Sequence, residues 1–314
     1  MDNLIFALNA TVPIFLLMLL GMVLKYTGII SDNFASQLNK FVFIVPLPAL
    51  LFDDLSKVDL ANAWDAKFVL FCFFATAAGI ALVSLLSMLV KNRASRGEFI
   101  QASYRSSAAL LGIAFIRNIY GTSGLAPLMI IASVPLYNVM AVVVLSFFSP
   151  DGRGIDKAMI RRTLRGIVTN PIIIAICAGL LWSAIKVPMP DVAASAISKI
   201  GGMATPMGLM AMGASFEIKK AKASALPAIS ATFIKLVGLA AVFLPIAVLL
   251  GFRREELVAI LVMLCSATTV SSYVMAKNMG HDGNLTASVV MLTTMLAAFT
   301  LAAWLFVLKS VALI

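Results

Sequence analysis

Apolar runs of roughly 20 residues, the length that crosses a hydrocarbon core of about 30 Å, recur from one end of this chain to the other. Short joints carrying charge, proline or glycine separate them. Inside lipid an α-helix satisfies every backbone donor and acceptor within its own segment, so the pattern predicts an all-α polytopic membrane protein. Ten transmembrane helices are expected, at residues 4–25, 34–52, 66–90, 98–119, 124–148, 164–186, 193–215, 223–250, 256–279 and 284–309. Composition agrees: of 314 residues, 61% are hydrophobic and 12% charged, outside the range of a soluble domain. The first run opens on Asp2 without a basic leader and continues into further spans, so it reads as a retained helix rather than a signal peptide.

A net charge of +10 could point to nucleic acid, but the basic residues alternate between loops instead of lining one face. Lys25, Lys91, Arg93, Arg96, Arg153, Lys157, Arg161, Arg162, Arg165, Lys219, Lys220 and Lys222 fall on one side. Lys57, Lys67, Lys186, Arg253, Arg254 and Lys309 fall on the other. By the positive-inside rule the first group is cytoplasmic, and ten spans then put both termini outside a cell membrane. No nucleic-acid partner is expected; the lipid bilayer is.

The second half of the chain repeats the first. "TVPIFLLMLLG" (Thr11, Pro13, Gly21) matches "TNPIIIAICAG" (Thr169, Pro171, Gly179) at an offset of 158. Asp32, Lys40 and the Pro46/Pro48 pair face Asp191, Lys199 and Pro206, and "RNIYGTSG" at Arg117–Asn118 faces "KNMGHDG" at Lys277–Asn278. This divides the chain into a first five-helix repeat at 1–150, a cytoplasmic linker at 151–163 and a second repeat at 164–314. Five spans per unit is odd, so the second copy enters the membrane from the opposite face. That is an inverted repeat, an arrangement with which secondary transporters build a midplane site.

The stretches "FVFIVPLPALLF", "LLGIAFIRNIYG", "TNPIIIAICAGLLW" and "SYVMAKNMG" with the run that follows it resemble the auxin efflux carrier family of membrane permeases, in its bacterial branch. The resemblance covers essentially the whole chain. It implies two inverted five-helix repeats, with helices 1, 2, 6 and 7 as a scaffold through which homodimers form. Helices 3–5 and 8–10 would be the moving transport domain, with helices 4 and 9 interrupted and crossed at the substrate site. Family members carry an Asn before and a Pro after the glycine of helix 4, and a Pro in helix 9. Here Ser107, Gly112 and Ala114 occupy the first places and "SATTVSS" the last. The breaks are then expected from Gly112 and from hydroxyls that compete for backbone groups.

Candidate site residues follow from what the spans retain. All Asp and Glu residues sit at span ends or in loops, so a carboxylate relay of the intramembrane type is not expected. Basic groups do occur within spans: Arg105, Arg117, Lys235 and Lys277. A cation at a helix centre costs about 2.5–3.5 kcal/mol. Either these side chains snorkel to an interface, or they await an anion. The hydroxyl-rich "SATTVSS" offers Ser266, Thr268, Thr269, Ser271 and Ser272, and "SSAALLG" offers Ser106, Ser107 and Gly112. Where two broken helices cross, free N–H groups and the positive helix end suit a carboxylate. Pro46, Pro48, Thr205 and Pro206 would kink the scaffold wall, while Arg117–Asn118 and Lys277–Asn278 would be anchors or gates.

Other chemistries find no support. Cys72, Cys177 and Cys265 stand alone in separate spans, without zinc or disulfide spacing. Methionines such as Met203, Met207, Met210 and Met212 read as packing rather than a metal path, so no metal or cofactor is expected. The single histidine, His281, lies outside any catalytic motif, which speaks against an enzyme. The expectation is a secondary permease for small organic anions working by elevator-like movement, with dicarboxylates such as malate or malonate as substrate. The alternatives are auxin-like aromatic acids, or a non-transporting sensor or channel of the same fold.

Overall fold

A computed structural model describes residues 2–57, 65–108, 116, 119–120, 125–149 and 157–314. Among them helices follow one another through short turns, and no strand occurs. The described helices fall largely within the expected apolar runs, several of them broken, and the run at 98–119 is described only in part. Six stretches among the described residues are long and apolar enough to cross a membrane: 32–56, 66–89, 126–147, 225–249, 254–278 and 284–310.

Local chemistry sets the boundaries in the first half. Helix α1 (Asp2–Tyr26) ends beside Lys25, whose ammonium pairs with Asp32 at the start of α2 (Asp32–Ile44). Ser31 caps α2 by accepting the Phe34 N–H at 3.2 Å. The helix breaks at Val45, and Pro46 opens α3 (Pro46–Ser56), where the missing N–H of proline costs nothing. The expected kink is therefore a junction between two helices. Asp65 caps α4 (Ala66–Leu86), Asn92 caps α5 (Arg93–Tyr104), and α6 (Ala126–Phe147) follows.

The second half uses the same devices. Helix α7 (Lys157–Val168) takes up part of the stretch expected as a plain linker, because its basic and apolar residues alternate with helical period. Asn170 caps α8 (Pro171–Ile185) by accepting the Ile172 N–H at 2.9 Å, with Pro171 at the first helical position. Then α9 (Asp191–Gly202) breaks at Met203 before α10 (Ala204–Ala214). After α11 (Ile218–Ala223), α12 (Ala225–Phe233) runs through a π-helical turn at Ile234–Gly238 into α13 (Leu239–Leu249). The chain closes with α14 (Arg254–Cys265), α15 (Val270–Asn278) and α16 (Asn284–Ser310).

Two groups of helices result. In the first, α1 lies on α10, and α3 lies on α8 and α9. Glycine lets the backbones touch: a Cβ on Gly21 would fall on the Met210 carbonyl, and one on Gly213 on the Met18 carbonyl. Close approach over small residues is how helices associate where lipid removes the hydrophobic drive. The second group packs α4, α5 and α6 with α12 to α16, and α15 touches α2 and α10 of the first. Large apolar side chains stand exposed along the outer faces, among them Leu70, Phe73 and Phe74 of α4 and Leu296, Phe299 and Phe306 of α16, whereas Thr76 and Thr293 are buried. Such apolar exposure is untenable in water and ordinary against acyl chains.

Candidate functional site

Two helices stop short in the middle of the second group. Helix α5 ends at Tyr104, and residues 105–107 are non-helical; α14 ends at Cys265, and residues 266–269 are non-helical before α15 begins. The two breaks lie against each other, since the Ser107 N–H donates to the Ala267 carbonyl at 2.9 Å. No proline is needed because other groups take over the helical hydrogen bonds. The Thr268 N–H donates to Thr293 Oγ1 at 3.0 Å, and the Thr268 hydroxyl donates to the Ala102 carbonyl at 2.8 Å. Gln101 Nε2 donates to the Ser272 carbonyl at 2.9 Å and so ties α5 to the start of α15. A freed backbone group in lipid would cost several kcal/mol, which makes these side chains the reason the breaks persist. The first break begins at Arg105, ahead of Gly112, which lies outside the described residues.

The helix ends at this crossing are treated according to their polarity. The carbonyl end of α14 receives a cation: Lys235 Nζ donates to the Leu264 carbonyl and to Ser106 Oγ, and Ser106 Oγ donates to the Met263 carbonyl. Lys235 is 0% exposed and is carried there by the π-helical turn. The amino end of α15 is left open instead, because Thr269 makes no side-chain cap and the first N–H groups of a helix have no partner within it. That end carries partial positive charge.

A cavity of about 80 Å³ opens at this end, between the two helix groups. At roughly 10–15 Å³ per water it holds several waters or a small carboxylate. The breaks supply Arg105, Ser106, Ser107, Thr268 and Thr269, and α15 supplies Ser271. Tyr137 and Asn138 of α6, Thr294 of α16, Thr205 of α10 and Asp54 of α3 complete the polar lining, with Leu47, Leu50 and Leu51 as the apolar wall. Arg105 is the dominant charge. It is 2% exposed and donates from Nη2 to Asn138 Oδ1 and Ser271 Oγ, each at 2.8 Å, and from Nη1 to Met275 Sδ at 2.8 Å. Its Nε finds no partner, and no acidic group pairs with it among the described residues.

The sequence-based candidates divide accordingly. Ser106, Ser107, Thr268, Thr269, Ser271 and Thr205 line the cavity; Lys235, Ser266, Ser272, Pro46, Pro48, Pro206, Lys277 and Asn278 do not. Ser266 and Ser272 are buried with unpartnered hydroxyls. Lys277 bonds to the Asp282 carbonyl at 3.1 Å near an exposed helix end, and Asn278 Nδ2 bonds back to the Val274 carbonyl at 2.8 Å. Gly112, Arg117 and Asn118 lie outside the described residues. Of the two readings open for Arg105, snorkelling fails, because its guanidinium turns inward to the crossing. Asp54 stands near the end of α3, as expected of the carboxylates, yet it lines the cavity. Tyr137 and Asn138 went unnoticed, and only the polar Tyr–Asn pair within an otherwise apolar span could have flagged them.

A buried carboxylate, Glu98, serves the framework. Glu98 on α5 accepts the Gly283 N–H at 3.0 Å, the Thr286 N–H at 3.0 Å and the Thr286 hydroxyl at 2.9 Å, and so caps the first turn of α16 from a neighbouring helix.

Comparison with known proteins points to membrane transport. Residues 6–305 match the family model described as membrane transport protein. A protein of Methanothermobacter thermautotrophicus named an uncharacterized transporter is 22% identical over 299 residues, covering 94% of this chain and 96% of its own.

Proposed function

This chain belongs to the membrane transport protein family, the family of the auxin efflux carriers, and from that premise we propose that it is a secondary permease for small organic anions. The carrying observation is Arg105: a buried guanidinium that lines the cavity, keeps one N–H free and has no carboxylate partner among the described residues. An anion meets that need, and the open amino end of α15 adds to the attraction. The small volume favours short carboxylates, with dicarboxylates such as malate or malonate ahead of auxin-like aromatic acids. With no nucleotide-binding motif in the sequence, the energy comes from gradients.

The ten-span inverted repeat is part of the same proposal, and pairwise geometry supports it. Gly21 meets Met210, and Gly179 meets Phe52. The two contacts exchange when each residue is shifted by 158, which takes Gly21 to Gly179 and Phe52 to Met210. The helix breaks at Val45 and Met203 stand at the same offset. In this reading α1, α2, α3, α8, α9 and α10 are the scaffold, which also offers the face for a homodimer. The helices around the crossing move past it as an elevator, and both termini lie outside the cell membrane.

The test is uptake of labelled mono- and dicarboxylates into proteoliposomes under sodium and pH gradients. Saturable uptake of a short carboxylate is expected; uptake of no anion under any gradient overturns the reading.

A further inference from the structure

Asp54 is a charge in the cavity that anion binding by Arg105 leaves unexplained. It stands on α3, in the helix group opposite the one that carries Arg105, and its Oδ2 is shut off from solvent without a hydrogen-bond partner. Lys57, which follows α3, gives its ammonium to Asp53 Oδ2 at 2.6 Å. The helices packed on α3 are α2, α8, α9 and α10. Of these, α8 and α10 hold no Asp, Glu, Lys or Arg, and Asp32, Lys40, Asp191 and Lys199 of α2 and α9 are all exposed. The charges that act on Asp54 from its own surroundings are Asp53 and Lys57, and across the cavity stands Arg105. An ionised Asp54 would repel an incoming carboxylate across a space this small. A protonated one turns the same oxygen into a donor toward that carboxylate.

We propose that Asp54 is the proton carrier of the site: the cavity takes its organic anion together with one proton held on Asp54, and the two cross the membrane together. The proton comes from water on the loading side, binds a carboxylate oxygen of Asp54, and returns to water on the other side when the anion leaves. No other bond changes. The inference rests on the anion reading of Arg105, and it makes Asp54 the residue that couples transport to the proton gradient.

Two measurements test it. In the first, malonate is added to purified wild-type protein in weakly buffered detergent solution, at a pH where malonate is fully a dianion, and a pH indicator reads proton uptake. About one proton taken up per anion bound is expected; binding without proton uptake overturns the proposal. In the second, proteoliposomes compare wild type with Asp54→Asn and Asp54→Glu. The wild type accumulates malonate when the outside is acidic. Asp54→Asn exchanges labelled for unlabelled malonate but loses gradient-driven accumulation at least tenfold, and Asp54→Glu restores it in part. Accumulation by Asp54→Asn that still follows the pH gradient sinks the proposal while sparing the permease reading. A wild type that binds and exchanges no anion sinks both.

Discussion

Arg105 and Lys235 are both buried cations near one crossing, yet their donors are used differently. Lys235 gives its protons to the Leu264 carbonyl and to Ser106 and does not line the cavity. Arg105 lines the cavity and keeps Nε without a partner. Lys235 therefore belongs to the framework of the crossing and Arg105 to the ligand. Replacing Lys235 by Ala removes a packed stem and leaves the Leu264 carbonyl without its donor, at a cost of about 2–4 kcal/mol. Lys235→Ala is expected to lower the thermal unfolding temperature in detergent, while the protein that remains folded keeps its anion affinity within about threefold. An affinity loss as large as that of an Arg105 variant, with unchanged stability, would reverse the two assignments.

At the scale of elements, the broken helices persist because their ends are satisfied from outside. Lys235 covers the carbonyl end of α14, Thr268 the end of α5, and Glu98 the amino end of α16. At the crossing the amino end of α15 has no side-chain cap, and its first residues line the cavity. The scaffold relies on a different device, the direct contact of backbones at glycine. In Gly213→Ala the new methyl meets the Met18 carbonyl, a backbone group that cannot turn aside, and overpacking of this kind costs about 1–3 kcal/mol. The same change at Gly166, within α7 and where a Cβ meets nothing, is expected to keep or slightly raise stability, alanine being the better helix former. Comparing thermal unfolding of Gly213→Ala and Gly166→Ala checks this, and equal unfolding temperatures would contradict it.

For the whole molecule, the all-helical membrane character could be read from the sequence because a stretch of 20 apolar residues has few fates, and six such stretches stand among the described residues. The helix starts at Ser31, Asp65, Asn92 and Asn170 likewise announce themselves as capping residues. The hydroxyl cluster at 266–272 marked one wall of the cavity for the same kind of reason: so many polar side chains in an apolar span need a place to go. Arg105 and Asp54 were harder to place. Distance from a span end decides neither case, because a break lets Arg105 turn inward, and Asp54 lines the cavity although it stands near the end of α3. Lys235 was misleading in the opposite way, since depth in a span signals a partner but not whether that partner is a ligand or a helix end.

The elevator reading requires α15 to slide past α2 and α10. A Cβ on Gly208 of α10 would lie 3.6 Å from Val274 Cγ2 of α15, so the two positions are direct neighbours and a cysteine pair there can be tested for cross-linking. With Cys72, Cys177 and Cys265 replaced by serine, Gly208→Cys/Val274→Cys is expected to lose uptake at least tenfold on oxidation and to recover on reduction. Full uptake by the oxidised pair would rule out relative movement at that contact.

The account turns on one claim, that the cavity at the helix crossing binds an anion through Arg105. Equilibrium binding of labelled malonate to purified wild type and Arg105→Gln tests it without any assumption about coupling or movement. A hydrogen bond to a charged group contributes about 1.5–3 kcal/mol, so Arg105→Gln is predicted to bind roughly 10- to 150-fold more weakly while unfolding at a similar temperature. Equal affinity in the two proteins would contradict the claim.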